Sequence, residues 1–444
     1  MTERDVCELL ETKQYKRIKE SFAEMNQVDL AELLEELPER QMIMAFRLIG
    51  KEEAAETFSC MESREQQILV EALTERELRA VLDDMFLDDT ADLLEEMPAN
   101  VVERILANTD LETRRQLNQL LSYPEDSVGS IMTVEYVDLK PHMTVKASLE
   151  KIRRVGIDSE TIYTCYVIQN KKLLGIVTAK ALLISDERKS VQEIMESNII
   201  TINTHDDQET AAKLVRKYGL IALPVVDREG CMVGIVTVDD AMEVMQDEVT
   251  EDIALMAAVA PSEDSYFSTS VFRHAGNRIP WLLILMLSAT LTGMIITKYE
   301  MAFEAIPVLV SFIPMLMDTS GNCGSQSSAL IIRGMAIDDI RLKDALRVIW
   351  KEIRVAALVS STLAVVNGVR IYIMYQQNLK LAALIGMTLI CTVTLAELIG
   401  CSLPMLAKRC KLDPALMAAP LITTFVDAAA ITIYFSIATA LFHL

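Results

Sequence analysis

The second half of the chain is written in apolar blocks longer than a soluble helix needs, and this sets what it can fold into. Residues 279–297 form a run of 19 without a charge. Four further blocks carry one charged residue each: 305–332 with Asp318, 355–375 with Arg370, 381–407 with Glu397, and 414–444 with Asp427. A helix of about 20 residues crosses about 30 Å of hydrocarbon. The expectation is therefore five membrane spans, with Arg370 near the end of its block, where a long side chain reaches the interface.

Charge divides the chain at the same place. Residues 1–270 hold 28 Lys and Arg against 54 Asp and Glu, whereas residues 271–444 hold 14 against 10, so the −22 of the whole chain hides a soluble part at −26 and a membrane part at +4. An acidic surface of that size repels nucleic acid and attracts multivalent cations. Placing the soluble part in the cytosol puts 11 Lys and Arg in the inside segments and 3 (Lys298, Arg370, Lys380) outside. That is the positive-inside pattern, and five spans then leave the C-terminus outside. The polar N-terminal residues lead us to expect no cleaved signal. The eight cysteines show no paired spacing and suit free thiols in a reducing compartment.

A carboxylate inside a span costs at least about 2.5 kcal/mol at mid-bilayer and usually faces a cavity or a pathway. Asp427 stands near the middle of its block, followed by three alanines that permit close helix approach, with Thr423 and Thr424 about one turn earlier. It is the leading candidate for an ion-contacting side chain, against the plainer reading of a protonated Asp bonded between helices. Asp318 and Glu397 stay open between pore and packing roles. The second block also contains Gly321-Asn322-Cys323-Gly324, followed by Gln326 and serines. Two glycines around Asn are expected to open the helix and expose carbonyls at depth, a GxxG packing contact being the alternative.

The soluble part opens with helical periodicity through residue 125. Leu30-Ala-Glu-Leu-Leu-Glu-Glu-Leu-Pro38 returns as Thr90-Ala-Asp-Leu-Leu-Glu-Glu-Met-Pro98, which points to a helical superhelix. A second repeat spans 130–246: Ile131-Met132 leads to Gly175-Ile-Val-Thr178, and Ile194-Met195 leads to Gly234-Ile-Val-Thr237. Its short strands, 164–168 and 222–226 among them, alternate with helices and resemble a pair of CBS motifs. Thr237 and Asp240 match the usual nucleotide contacts of such motifs, whereas the first copy has Ala181 in place of the Asp. ATP at the second copy is the reading that this pattern permits, and a purely structural domain is the alternative. Residues 238–258 read as one helix carrying Asp240, Glu243, Asp247, Glu248, Glu251 and Asp252 without a basic residue. Like charges one turn apart destabilise a helix by a few tenths of a kcal/mol per pair, so a cation would help it, and a solvated linker is the alternative.

Taken in order, these features resemble the MgtE family of magnesium transporters over essentially the whole chain. The most specific stretches are Tyr123-Pro-Glu-Asp-Ser-Val-Gly129, Gly321-Asn322-Cys-Gly324-Ser-Gln326, and Asp413-Pro-Ala-Leu through Pro420 to Asp427. The resemblance implies a multidomain chain: an all-α acidic N-domain (1–125), an α/β CBS pair (126–186 and 187–246), a connecting helix and linker (247–270), and a five-helix transmembrane pore domain (271–444). It implies a homodimer in the inner or plasma membrane whose shared path is lined by Asp427 with Asn322, Thr423 and Thr424. It implies Mg2+ as both substrate and regulator, entering down its electrochemical gradient. Regulatory Mg2+ would bridge Asp88 and Asp92, the Gly129 carbonyl, Asp207, Glu209, Asp240, Glu243, Glu248, Glu251, Asp252 and Asp413. Gly219 stands where some relatives have an acid. The alternatives are a less selective Co2+ or Mn2+ transporter and a nucleotide-sensing membrane regulator without conduction. No P-loop and no clustered His/Cys site supports an enzyme.

Overall fold

The computed structural model describes residues 1–262, 266–267, 269–299, 306–375, 378–417 and 419–443. Parts of the expected linker, Ala305 at the start of the second expected span, and Leu444 lie outside the described residues. The chain forms two compact units, Met1–Gln246 and Asp247–Leu444.

The first unit opens with ten short helices, from α1 (Glu3–Glu11) to α10 (Leu111–Leu120). Each presents one apolar face inward, so that Leu34, Met42, Phe58, Leu69, Leu78, Ile105 and Leu117 are fully buried in a continuous core. Burying a side chain of that size stabilises by about 1.5–3 kcal/mol. The repeated Leu-Pro and Met-Pro signals have a local cause. Pro38 and Pro98 sit at the N-caps of α4 (Glu39–Phe46) and α9 (Ala99–Asn108), ending one helix and starting the next. The eighth helix, α8 (Leu87–Glu96), has Phe86 at its N-cap, which offers no side-chain acceptor. Glu135 supplies one from a distance: the Leu87 N–H donates to its Oε2 at 3.0 Å.

The 130–246 repeat is visible as two three-stranded sheets of the same design. Strands β1 (Tyr136–Leu139), β2 (Thr161–Gln169) and β3 (Lys172–Thr178) form one sheet; β4 (Ile202–Asn203), β5 (Ala222–Val226) and β6 (Met232–Thr237) form the other. In each, the first pair is parallel and the second antiparallel. The β2–β3 hairpin turns through Asn170 and Lys171, both at positive φ, as a two-residue turn of matching twist requires. The repeated Gly and Ile-Met belong together. A Cβ on Gly234 would lie 2.6 Å from the Thr133 carbonyl and 2.9 Å from the Met132 sulfur. A Cβ on Gly175 would lie 2.9 Å from both the Glu196 carbonyl and the Met195 sulfur. Each glycine lets the segment after its Ile-Met run against the strand, where Ile235 and Thr133 exchange backbone hydrogen bonds at 2.9 Å. In the chain, α11 (Val145–Val155) links β1 to β2, α12 (Ala179–Ile184) and α13 (Val191–Ile194) link the two sheets, and α14 (Gln208–Tyr218) links β4 to β5. Gly219 caps α14 at φ +61, a left-handed position that favours glycine.

The connecting helix begins ahead of the 247–270 segment: α15 runs from Val238 to Met256, close to the helix expected over 238–258, and starts directly at the end of β6. In the second unit follow α16 (Val271–Lys298), α17 (Ile313–Ala336), α18 (Ala345–Met374), α19 (Leu379–Arg409) and α20 (Ala419–Phe442). Short 3-10 turns, Pro307–Phe312 and Pro414–Met417, precede α17 and α20. Four segments among the described residues are long and apolar enough to cross a membrane: Val271–Lys298, Leu342–Met374, Leu379–Arg409 and Pro414–Phe442. The remaining helix, α17, has 24 residues, enough to span, but Asp318, Asn322, Gln326 and its serines dilute its apolar character.

α17 is also unbroken, contrary to the expected opening at Gly321–Gly324. The glycines serve helix approach instead. A Cβ on Gly324 would lie 2.9 Å from Ile422 and 3.1 Å from the Ala396 carbonyl. A Cβ on Gly400 of α19 would come within 2.2 Å of the Gly324 carbonyl. Between helices in lipid, small residues at such contacts are the main source of packing energy. At one end of the unit Leu309, Phe312, Leu316, Leu384, Tyr434 and Phe435 form a core, closed by the Tyr434 hydroxyl donating to the Leu309 carbonyl at 2.9 Å.

Candidate functional site

Asp427 is half-buried on α20, against α17. Its Oδ1 lies 3.9 Å from the point where a Cβ on Gly321 would stand, and Thr423 Cγ2 lies 3.1 Å from that point. The absence of a side chain at 321 thus lets α17 approach the carboxylate and Thr423 closely. Thr423 and Thr424 each donate a hydroxyl hydrogen to the Pro420 carbonyl at 3.0 Å, and the Thr424 hydroxyl lies 3.4 Å from that of Ser288 on α16. Both hydroxyls keep their lone pairs while their protons are used locally.

Asp318, Asn322 and Gln326 follow at steps of four along α17, and all three are exposed. Residues four apart lie on one helix face, so they form a polar stripe. The opposite face, with Leu316, Cys323, Ser327 and Ile331, is buried. Asp318 is within electrostatic reach of Asp427, so stripe and carboxylate belong to one locality. The sequence contained every member of this stripe, but the expectation of an opened helix hid their common face.

A second group of carboxylates lies in the first unit. α8 carries Asp88, Asp89 and Asp92; Glu160 precedes β2; the start of α15 carries Asp239, Asp240 and Glu243. Their mutual influence places them together. Burial, reinforced by Asp240, Glu160 and Asp89, holds Asp88 well above the ordinary carboxylate range. Asp89 is pushed up to about 6 by burial and by Asp240, Glu243 and Asp239. Glu160 is pushed up to about 7 by burial and then by Asp240, Asp89, Asp239 and Glu135, and its Oε2 is buried without a hydrogen-bond partner. Asp92 is pushed up to about 8 by desolvation and by Glu243, Glu95 and Asp240, yet its outer side is open to solvent. At such a position like-charge crowding carries more of the rise than dehydration does. Asp240 is raised by burial, against hydrogen bonds from the Thr237 amide at 3.2 Å and the Thr237 hydroxyl.

This brings together Asp88, Asp92, Asp240 and Glu243 of the expected regulatory set. Asp89, Glu160 and Asp239 join them, and sequence reasoning had missed these three as ligand candidates. Among the described residues, no three carboxylate, histidine or cysteine side chains converge as a ready-made metal cage. The group is an open concentration of negative charge, and it is suited to a cation that keeps its waters.

The other expected residues have local duties. Asp207 caps α14, accepting the Glu209 N–H at 2.8 Å, and Glu209 pairs with Lys213 at 2.5 Å. Gly129 is stitched nearby through its N–H to the Thr204 carbonyl at 2.9 Å, with the Tyr123 ring filling the space over its Cα. Asp413 accepts the Ala415 N–H at 2.7 Å, shaping the turn before α20. Glu248, Glu251 and Asp252 lie on α15 beyond the first unit. Thr237 and Asp240 bond to each other as the N-terminal cap of α15, an internal role for the residues matched to nucleotide contacts.

Family models match three parts of the chain: the CBS domain at residues 128–186 and 191–247, the MgtE intracellular N domain at 25–126, and MgtE, described as a divalent cation transporter, at 313–437. The chain is 36% identical over 439 residues to the magnesium transporter MgtE of Thermus thermophilus, covering 98% of this chain and 97% of that one. The chain belongs to the MgtE family. The MgtE of Bacillus subtilis is 30% identical, with 95% of this chain and 93% of the relative covered. Among solved structures, the cytosolic domain of the Mg2+ channel MgtE in complex with ATP matches 55% of this chain and 99% of its own length, at TM-score 0.52 and 36% identity. MgtE proteins are membrane transporters and not enzymes, in keeping with the absence of a catalytic constellation in the sequence.

Proposed function

We propose that this protein conducts Mg2+ into the cell down its electrochemical gradient, through a path on which Asp427 is the principal ion-contacting side chain. The observation that carries the reading is the exposed stripe Asp318–Asn322–Gln326 beside Asp427. A polar face at membrane depth has to meet water or protein. A second copy of the chain facing the stripe supplies both: it closes the path and pairs one Asp427 with another. α16, whose apolar residues are mostly exposed, offers further surface to lipid or to that copy. Mg2+ prefers octahedral oxygen ligands and sheds water reluctantly, so a carboxylate pair with Asn322, Thr423 and Thr424 nearby suits a hydrated ion. The N-terminal domains then lie in the cytosol and the C-terminus outside.

Closure follows from the second carboxylate group. When cytosolic Mg2+ is low, Asp88, Asp89, Asp92 and Glu160 repel the start of α15 at Asp239, Asp240 and Glu243. When Mg2+ is high, the ion neutralises this contact, with Glu248, Glu251, Asp252 and Asp413 as further acidic positions and the Gly129–Asp207–Glu209 region as another. A swing from mostly open to mostly closed needs about 5.5 kcal/mol of differential binding, which several weak sites can share. Asp427→Ala should abolish Mg2+ uptake into liposomes while the protein elutes and melts like the parent. Full uptake by that variant would sink the assignment.

ATP at Thr237 and Asp240 is supported by the ATP-bound structural relative. Against it, Asp240 is bonded to Thr237 and surrounded by acids that repel phosphate. Transport of Co2+ or Mn2+ stays within the same oxygen-ligand chemistry and is separated by competition in the same assay.

A further inference from the structure

Among the described residues of the membrane unit, Glu397 of α19 and Glu352 of α18 are the two buried carboxyl groups, at 4% and 9% exposure. They influence each other electrostatically, so they share one locality between three helices. From α17, the Ser327 hydroxyl donates to Glu352 Oε2 at 2.7 Å and also lies 3.3 Å from the Glu397 backbone carbonyl. Glu397 Oε2 is fully buried and has no hydrogen-bond partner. Among the described residues neither glutamate forms an ion pair with Lys, Arg or His. The other titratable groups facing the pair are the thiols of Cys323 on α17 and Cys401 on α19, which bring no positive charge.

Two uncompensated carboxylates in one dry space are not a stable arrangement, because burying a single charge already costs several kcal/mol before mutual repulsion is counted. Positive charge has to come from outside the chain. A metal ion would need several converging ligands, and none of the described groupings provides them. A proton needs one oxygen, and Glu397 Oε2 is an oxygen without a partner. Gln in place of Glu would satisfy the same geometry with no proton bound.

We propose that Glu352 and Glu397 form a proton-binding site in the membrane unit, separate from Asp427, in which the pair carries one proton shared between α18 and α19. Ser327 fixes Glu352 as the acceptor side, leaving Glu397 to carry the O–H. The proton holds together the layer where Gly324 and Gly400 meet. Its departure places two like charges beside the tightest backbone contact of the unit.

The test uses the full-length protein in detergent with a hydrophobic carbodiimide, which adds only to protonated carboxyls. The acid proton moves to a carbodiimide nitrogen, the carboxylate oxygen bonds to the central carbon, and the adduct rearranges to a stable N-acylurea with no leaving group. Peptide mass mapping separates Glu397 and Glu352 from Asp427. At neutral pH the expected result is an adduct on the peptide holding Glu397 or Glu352, lost in the E352Q/E397Q double variant. A second measurement guards against poor reagent access. The infrared carbonyl band of a protonated carboxylic acid should shrink by one group per chain in E397Q, which should fold and melt like the parent. An unchanged band in E397Q, or labelling confined to Asp427 together with such a band, would overturn the proposal.

Discussion

Gly321 and Asp427 face each other across α17 and α20, with the carboxylate oxygen 3.9 Å from the place where a side chain at 321 would begin. The first atom of any such side chain would also come within 3.1 Å of Thr423. Gly321→Ala should therefore lower Mg2+ flux severalfold, through an overpacking cost of about 1–3 kcal/mol at the contact. Gly321→Leu should abolish flux while the protein remains membrane-inserted. Liposome flux alongside size-exclusion profiles checks both.

Gly400 presents a stricter case, because its Cβ would stand 2.2 Å from backbone rather than from a movable side chain. Gly400→Ala should destabilise the membrane unit by about 1–3 kcal/mol or more, read as a lowered melting temperature in detergent. A variant that melts with the parent would show that α17 and α19 can separate at no cost.

The carboxylate group of the first unit predicts an inverted pH response. Asp89, Asp92 and Glu160 have folded-state values of about 6, 8 and 7 against ordinary values of 3.8, 3.8 and 4.5, so the native protein binds more protons than the unfolded chain between these limits. Their contribution to stability is present in full below about pH 4 and is lost as pH rises towards 8. In chelator, hydrogen exchange in α8 and the start of α15 should quicken over that window. Added Mg2+ should flatten the trend by binding the charged form.

Neutral substitutions should separate charge from shape. Asp92→Asn and Asp240→Asn should each protect α8 in chelator and shrink the further protection given by Mg2+. Both effects are read in the same exchange experiment. Neutralising Glu248, Glu251 and Asp252 together should leave uptake active at high internal Mg2+; unchanged inhibition would assign those acids to a solvated linker.

In the CBS pair, Gly234→Ala should cost more than Gly175→Ala, since the added methyl meets the Thr133 carbonyl at 2.6 Å in one case and the Glu196 carbonyl at 2.9 Å in the other. Chemical denaturation of the two variants checks the order.

Asp427 stood out because one charge in a long apolar run has few explanations, and the two sheets were legible because their sequence repeats. The continuity of α17 was not. Glycine's helix penalty of about 1 kcal/mol is local and visible, whereas the contacts that offset it, with Ile422 and the Ala396 carbonyl, come from residues about a hundred and about seventy positions away. Glu160 and Glu135 escaped for the same reason: only folding brings them to α8. Asp239 differs, since it adjoins Asp240 and could have been counted with it. The buried Glu397 stood in plain view, but a sequence shows a carboxyl and not whether anything answers it.

The stripe of Asp318, Asn322 and Gln326 also bears on how the protein is made. α17 lacks the apolarity that the four other segments have, so the insertion machinery would find it a poor candidate to release into lipid by itself. Its entry depends on α19 and α20, both of which emerge later from the ribosome and pack against it. A nascent chain must therefore keep α17 sheltered until α19 and α20 have been synthesised, and truncation after α18 would strand a helix that neither water nor lipid accepts.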